Sequence, residues 1–223
     1  MAYREAKLIA QAANPSSDQL AEGTNRLNDL INLWQTDGLR LWLNEDTAVP
    51  LTAGVDLYTF GPAGTVVMPK PLRVIEGYYL DNNNIRRPIY PLARNDWDRL
   101  SIVSQQGQII NYFADKQVDL LNVWTYLVPD SVAATGTMHL ILQNQVTHFT
   151  GLTDEMNFPP EWFIALRKGL AYDLATGQPD SIVSKLGQEM TMYKDKLDGW
   201  DVEDAPTQFQ PDMRMGQNSG RFR

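Results

Sequence analysis

The stretch LRVIEGYYLDNNNIRRPIY, residues 72–90, indicates a β-hairpin and decides how the middle of the chain folds. Its first part is rich in Val, Ile and Tyr, residue types that favour strands. The run DNNN at 81–84 separates two strand-like parts, and Asp and Asn tolerate the positive φ angles of tight turns. The sequence therefore predicts strands over 72–80 and 85–90, joined by a turn.

Strand-like segments continue on both sides of this hairpin, and turn residues separate them. Several prolines lie at the ends of these segments, as is typical of edges and bulges. One short helix is predicted over 93–100, capped by Asn95 or Asp96. We predict a central antiparallel strand-rich domain over 47–150, with strands at 47–51, 57–60, 72–80, 85–90, 108–113, 120–128 and 137–149.

The N-terminal residues 1–46 are predicted to form a helical hairpin. A first helix is expected over 3–13, ending at Asn14-Pro15, and a second helix follows. Its apolar side chains recur every three or four residues, which places them on one helix face, and Asp37-Gly38 is a suitable end. The residues on that face are Leu20, Thr24, Leu27, Ile31 and Trp34.

A second helical hairpin is predicted over 151–199. Pro160 suits the first turn of a helix, and the spacing of apolar residues resumes after it. We expect the two hairpins to pack as one helical bundle that flanks the strand-rich centre, which makes the predicted fold class α+β. The residues that define the two C-terminal helices are Trp162, Leu166, Leu170 and Leu174, then Ile182, Leu186, Met190, Tyr193 and Leu197.

Residues 200–223 carry no periodicity. Acidic residues and prolines come first, three arginines follow, and few apolar side chains are present. Such a composition cannot bury enough apolar surface to order itself. We predict an extended C-terminal arm that becomes ordered on a partner.

Composition excludes several classes of protein. The net charge of −8 argues against a protein that grips phosphates, because such proteins need clustered Lys and Arg. The chain has no cysteine, which excludes disulfide bonds and thiolate-bound zinc. No apolar run approaches the roughly 20 residues that cross a bilayer, and the N-terminus lacks the apolar core of a signal peptide. We expect a globular protein without membrane contact.

The two histidines, His139 and His148, are nine residues apart on one predicted strand. They should point to opposite faces, about 30 Å from each other, so a shared metal site is not expected.

Two pairs of carboxylates could serve acid–base or metal chemistry, but no partner residues accompany them. The sequence has no Walker loop, nucleophile elbow, zinc-protease motif or dinucleotide-binding motif. We predict that the protein is not an enzyme and binds no metal or cofactor. The carboxylates concerned are Asp96 with Asp98, and Asp154 with Glu155.

Three segments resemble the head-to-tail adaptor proteins of short-tailed bacteriophages, also called tail accessory factors or packaged-DNA stabilisation proteins. The first is LNDLINLWQTDGL at 27–39, followed by Leu41-Trp42. The second is LTAGVDLYTFG at 51–61. The third is FPPEWFIALRKGLAYDLA at 158–175, which matches an aromatic-Pro-Pro-Glu start of a helix in that family.

The resemblance implies a virion structural protein, assembled in the host cytoplasm and located at the capsid–tail vertex. It would form a ring of twelve copies beneath the portal, extend the channel through which double-stranded DNA passes without sequence-specific binding, and dock the tail nozzle. The C-terminal arm would bind the portal protein. Its candidate contact residues are Trp200, Phe209, Met213, Arg214, Arg221, Phe222 and Arg223.

Two other functions stay open. A tail module that binds a carbohydrate or host receptor would need exposed aromatic residues and carboxylates on one face of the strand-rich centre. A small hydrolase would need Asp96 or Asp154 for activity.

Overall fold

The computed structural model describes residues 1–36, 43–146, 148–151 and 158–200, with Trp200 described by its backbone only. The helices are α1 Ala2–Glu5, α2 Ser17–Thr36, α3 Arg94–Trp97, α4 Phe163–Leu174 and α5 Asp180–Trp200. The strands are β1 Asn44–Pro50, β2 Leu57–Gly61, β3 Val66–Val67, β4 Arg73–Leu80, β5 Arg86–Pro91, β6 Gln106–Gly107, β7 Asn111–Lys116, β8 Leu121–Tyr126, β9 Val128–Pro129 and β10 Thr137–Gln143.

Eight strands form one mixed sheet in the order β1-β10-β4-β5-β7-β8-β2-β3. Most neighbours are antiparallel, but β5 pairs with β7 in parallel through Tyr90–Asn111 and Pro91–Tyr112. A parallel pair needs a crossover connection, and residues 92–110, which contain α3, supply it. β2 and β3 are also parallel, and β6 pairs with β9 in a separate two-stranded sheet.

One face of the large sheet encloses the main hydrophobic core. Met138, Leu140 and Leu142 alternate along β10 and are completely buried, because side chains on a strand point to one face at every second residue. Seven strands contribute to this single cluster, so the sheet curves around it. The other members are Val49, Leu51, Tyr58, Phe60, Tyr79, Ile89, Ile109, Tyr112, Leu121 and Val123.

The hairpin predicted at 81–84 is confirmed. β4 and β5 pair in antiparallel register, and Asn84 adopts a φ of 60°. The Asp81 carboxylate accepts hydrogen bonds from the backbone N–H groups of Asn83 and Ile85, at 2.8 and 2.9 Å. The side chain of the first turn residue therefore fixes the reversal of the chain.

Helices α1, α2, α4 and α5 form a second layer, in which α4 contacts the other three. A reciprocal pair of hydrogen bonds between Ser16 and Gln19 caps the start of α2. Trp34 of α2 and Trp162, which precedes α4, lie 6.3 Å apart between ring centroids. They share a buried cluster with Leu43 and Val146, residues next to the ends of β1 and β10, and this cluster joins the helices to the sheet.

The predicted fold class is wrong. The molecule is dominated by a large mixed sheet rather than by a helical bundle that flanks an antiparallel region. The first predicted helix, over 3–13, shrinks to the four residues of α1, and Lys7 has a φ of 56°, which a right-handed helix does not allow. The parallel β5–β7 pairing was also missed, since apolar alternation does not report strand direction. The predicted arm over 200–223 lies outside the described residues except for the backbone of Trp200, the last residue of α5.

Candidate assembly surfaces

A row of polar side chains crosses four strands on the outer face of the large sheet, opposite the core. His139 of β10 stacks on Tyr78 of β4, with ring centroids 4.7 Å apart and planes 9° from parallel. The Arg86 guanidinium of β5 lies 4.7 Å from the centroid of the Tyr78 ring. Asp46 of β1 closes the row: one carboxylate oxygen is 2.9 Å from His139 Nδ1, and the other accepts a hydrogen bond from the Tyr78 hydroxyl at 2.7 Å. We call these four residues the polar row.

The polar row alters the acid–base behaviour of two of its members. Partial burial of Asp46 acts to raise its pKa, but hydrogen bonds from Tyr78 and His139 and the charge of Arg86 outweigh it, so the pKa of Asp46 is lowered. The hydrogen bond to Asp46 raises the pKa of Tyr78. The row therefore holds an ionised carboxylate against a neutral phenol and links β1 to the body of the sheet.

The two histidines do not lie on one strand, because β10 ends at Gln143. His148 lies beyond it, and its Nε2 is 2.8 Å from the side-chain oxygen of Asn32 on α2. The expectation that they share no metal site stays a prediction, and within the described ranges no cluster of three or more His, Cys, Asp or Glu side chains suits a metal ion.

Of the two carboxylate pairs considered for acid–base or metal chemistry, only the first lies among the described residues. Asp96 and Asp98 are both exposed, and the N-cap of α3 is Ala93, so the predicted cap at Asn95 or Asp96 is wrong. Asp154 and Glu155 lie outside the described residues.

An aromatic cluster forms where α3 covers the outer face of β7 and β8. Trp97 stacks on Phe113 with centroids 5.6 Å apart and lies 6.3 Å from Trp124. The guanidinium of Arg94 lies 5.3 Å from the centroid of the Phe113 ring and 3.5 Å from the carboxylate of Asp115. This cluster, with the carboxylates of Asp98 and Asp115, is the surface that carbohydrate binding would use.

An apolar pocket of about 270 Å³ opens between α1, α2 and α4. Two large side chains at it are exposed, Met1 at 79% and Phe163 at 43%. An exposed apolar pocket of this kind is a site where a partner side chain can be buried. We call it the helical pocket; its lining residues are Met1, Ala2, Tyr3, Pro15, Leu20, Gly23, Thr24, Leu27, Phe163, Leu166, Arg167 and Leu170.

Charged side chains fix the helices beside the helical pocket. The Glu5 carboxylate of α1 forms ion pairs with two residues of α4, Arg167 at 3.0 Å and Lys168 at 3.1 Å. Lys168 also contacts Glu189 of α5 at 2.6 Å. The hydrogen bond from Lys168 lowers the pKa of Glu189. The single turn of α1 is therefore held to α4 by ion pairs as well as by burial of Tyr3, which is 7% exposed.

The predicted arm contacts are not placed among these surfaces. Phe209, Met213, Arg214, Arg221, Phe222 and Arg223 lie outside the described residues, as does the side chain of Trp200. Sequence reasoning also missed the polar row, because Asp46 and His139 are 93 positions apart and only the register of β1 on β10 brings them together.

Replacing Asp46 with Asn should remove a pH-dependent part of the stability. A carboxyl group whose pKa is lowered by folding stabilises the folded protein at pH values above its pKa in the unfolded chain. This stabilisation is lost as the pH falls through its lower pKa in the folded protein. We expect D46N to cost up to about 1 kcal/mol at pH 7, because the pair is partly exposed, and to differ less from wild type near pH 3. Urea unfolding at both pH values measures this. The exposed Asp96→Asn is the control, and an equal loss for D46N at both pH values would contradict the argument.

In the described ranges no helix combines the length and the apolar composition needed to cross a membrane. No known protein-family model and no curated protein matches the chain. The likeness to phage adaptors therefore remains an interpretation of the three sequence segments.

Proposed function

We propose that this protein is a structural head-to-tail adaptor of a short-tailed phage. Twelve copies form a ring beneath the portal, extend the DNA channel, dock the tail nozzle and help to retain packaged DNA. The protein has no catalytic task and needs no cofactor. It assembles in the host cytoplasm and resides in the virion at the capsid–tail vertex.

The arrangement of the resembling segments supports the proposal. Residues 27–36 belong to α2 and residues 158–175 lead into and form α4. The two segments are more than a hundred residues apart, yet they pack directly through Trp34 and Trp162. Gly169 of α4 allows the close approach, because a Cβ there would lie 2.8 Å from Leu30 Cδ2 and 3.0 Å from Trp34 Cζ2. Two of the three resembling segments therefore form one physical unit, whereas the third, residues 51–61, belongs to the sheet and contains β2.

The helical pocket carries the proposal. The chain has a net charge of −8, so copies repel each other and a contact between them must gain its energy from apolar burial. The pocket, with Phe163 and Met1 exposed at it, offers such a contact between α1 and the same two helices, α2 and α4. A ring closes when each copy presents one surface to the next and accepts it on a different one. We assign the helical pocket to the accepting surface.

The negative charge also suits the channel. DNA phosphates that pass a surface of like charge are repelled rather than bound, which favours movement of the duplex over retention by contact. The proposed contact with DNA is therefore loose and independent of base sequence.

Replacing Phe163 with Glu should prevent ring formation. The carboxylate would place a charge in an apolar contact, where it cannot be hydrated. We expect native mass spectrometry of the adaptor with portal rings to detect twelve copies per portal for wild type and fewer than two for F163E. Val118→Glu is the matched control, because Val118 is 88% exposed and lies on the β7–β8 connection. If F163E assembles as V118E does while both melt near the wild-type temperature, the helical pocket is not the ring contact.

Removing residues 201–223 should abolish portal binding and leave the fold intact, because these residues carry few apolar side chains that could contribute to a core. Co-sedimentation with portal rings and thermal unfolding measure the two effects. Replacing Arg214, Arg221 and Arg223 together by Glu should weaken binding at least tenfold if the arm meets an acidic portal surface. Full binding by the truncated protein would contradict the role of the arm.

Carbohydrate binding is the second candidate, because the aromatic cluster brings Trp97 and Trp124 together with Asp98 and Asp115 on one outer face, as a glycan site requires. Under this alternative, glycan-array binding by wild type would fall at least tenfold in Trp97→Ala. Absence of binding by wild-type protein to any glycan would end this candidate.

A further inference from the structure

Strand β1 is an edge of the large sheet, and one side of its backbone has no partner among the described residues. Its register on β10 runs from Asn44–Gln143 to Pro50–Thr137. Just before it, Asn144 N–H donates to the Leu43 carbonyl at 2.8 Å, which identifies Leu43 as a residue whose backbone faces β10. Because this orientation alternates along a strand, Glu45, Thr47 and Val49 also face β10.

The backbone groups of Asn44, Asp46 and Ala48 consequently point away from the sheet. The other side of β10 leads to the same assignment. Leu72 N–H donates to the Gln143 carbonyl at 2.8 Å, so the backbone of Gln143 faces β4 and not β1. Its register partner Asn44 therefore does not face β10. Three N–H groups and their carbonyls thus form a row of hydrogen-bonding groups that have no partner in the described part of the chain, a template for another strand. Pro50 ends the row, because it has no N–H to donate.

This edge is held in a fixed geometry before any strand arrives. Val49 is 2% exposed in the core, and Asp46 is bonded to Tyr78 and His139 in the polar row. Both faces of β1 are therefore tied to the sheet. A partner strand would add to a preformed edge, with little loss of conformational entropy on the side of this protein.

The charge of β1 selects which strand can be added. Glu45 and Asp46 are adjacent acidic residues, and β1 has no Lys or Arg. In an antiparallel pair of β1 strands whose outward backbone groups overlap fully, Asp46 of one copy would lie opposite Asp46 of the other, and like charges directly opposite each other are unfavourable. A strand with Lys or Arg at alternate positions would instead place a basic side chain next to a carboxylate.

We propose that the outer edge of β1 is a docking site for an extended, basic segment of a partner protein, which joins the sheet as a ninth strand. The proposal rests on the geometry and charge of β1 alone. It holds or fails independently of ring formation and of the helical pocket.

The test uses the full-length protein and a capped seven-residue peptide that alternates Lys and Val. We expect the peptide to bind and to slow amide hydrogen exchange at Asn44, Asp46 and Ala48, measured by NMR. A peptide of the same length that alternates Glu and Val should bind at least tenfold more weakly. If the basic peptide does not bind, or binds without slowing exchange at these three amides, the proposal is overturned.

A protein variant provides a second test. Ala48→Pro removes an N–H that points outward, so no internal hydrogen bond is lost, and proline is tolerated on edge strands. We expect A48P to bind the basic peptide at least tenfold more weakly, whereas Ala48→Gly keeps the donor and binds within threefold of wild type. If A48P proves unfolded by thermal melting, Glu45→Lys takes its place and should weaken binding of the basic peptide at least tenfold. Equal affinity for wild type and the folded variant would refute the docking site.

Discussion

The parallel contact between β5 and β7 is the constraint on which the sheet depends. On one side of it lie β1, β10, β4 and β5, and on the other lie β7, β8, β2 and β3. The register joins them through two residue pairs, Tyr90–Asn111 and Pro91–Tyr112, extended by a 2.7 Å hydrogen bond from Leu92 N–H to the Tyr112 carbonyl. So short a junction cannot hold two four-stranded halves together through hydrogen bonds alone, each being worth about 1 kcal/mol net. Most of the stabilisation that holds the two halves together must therefore come from their shared core. Tyr112, which is 1% exposed, contributes to both the junction and the core.

Local sequence chemistry was sufficient for the elements that depend on local rules. The turn at 81–84 was predictable because Asp81 bonds its own neighbours, and the face of α2 because Ile31 and Trp34 recur at helical spacing. The architecture was not predictable in the same way. Which strand lies beside which depends on contacts between residues far apart in sequence, and these emerge only when the whole core is packed. The shortened α1 shows the same limit at small scale: the sequence pattern over 3–13 did not indicate that the helix ends at Glu5, before Lys7 with its φ of 56°.

The same distinction between local and long-range information applies to the candidate surfaces. Phe163 could be recognised from sequence as part of an apolar helix, yet its exposure depends on how α4 lies between α2 and α5. The aromatic cluster could be predicted only from the position of α3 on the sheet, and the polar row only from the register of three strand pairs. Residue types that suit binding can thus be read from sequence, but the surfaces on which they meet cannot. The proposed arm is the opposite case, since its composition alone motivates the prediction.

The two surfaces of the body differ in what they can accept. The helical pocket is apolar, so a partner gains affinity there through shape and burial, and for a second copy this gain has to exceed the repulsion between two chains of net charge −8. The edge of β1 is polar and acidic, and an approaching copy of the same chain, with its own acidic edge and its net charge of −8, is repelled there. Specificity can come from such repulsion as well as from attraction. The proposed adaptor would contact its own copies at one surface and a different protein at another, and this division between the helical layer and the sheet edge would give it both properties.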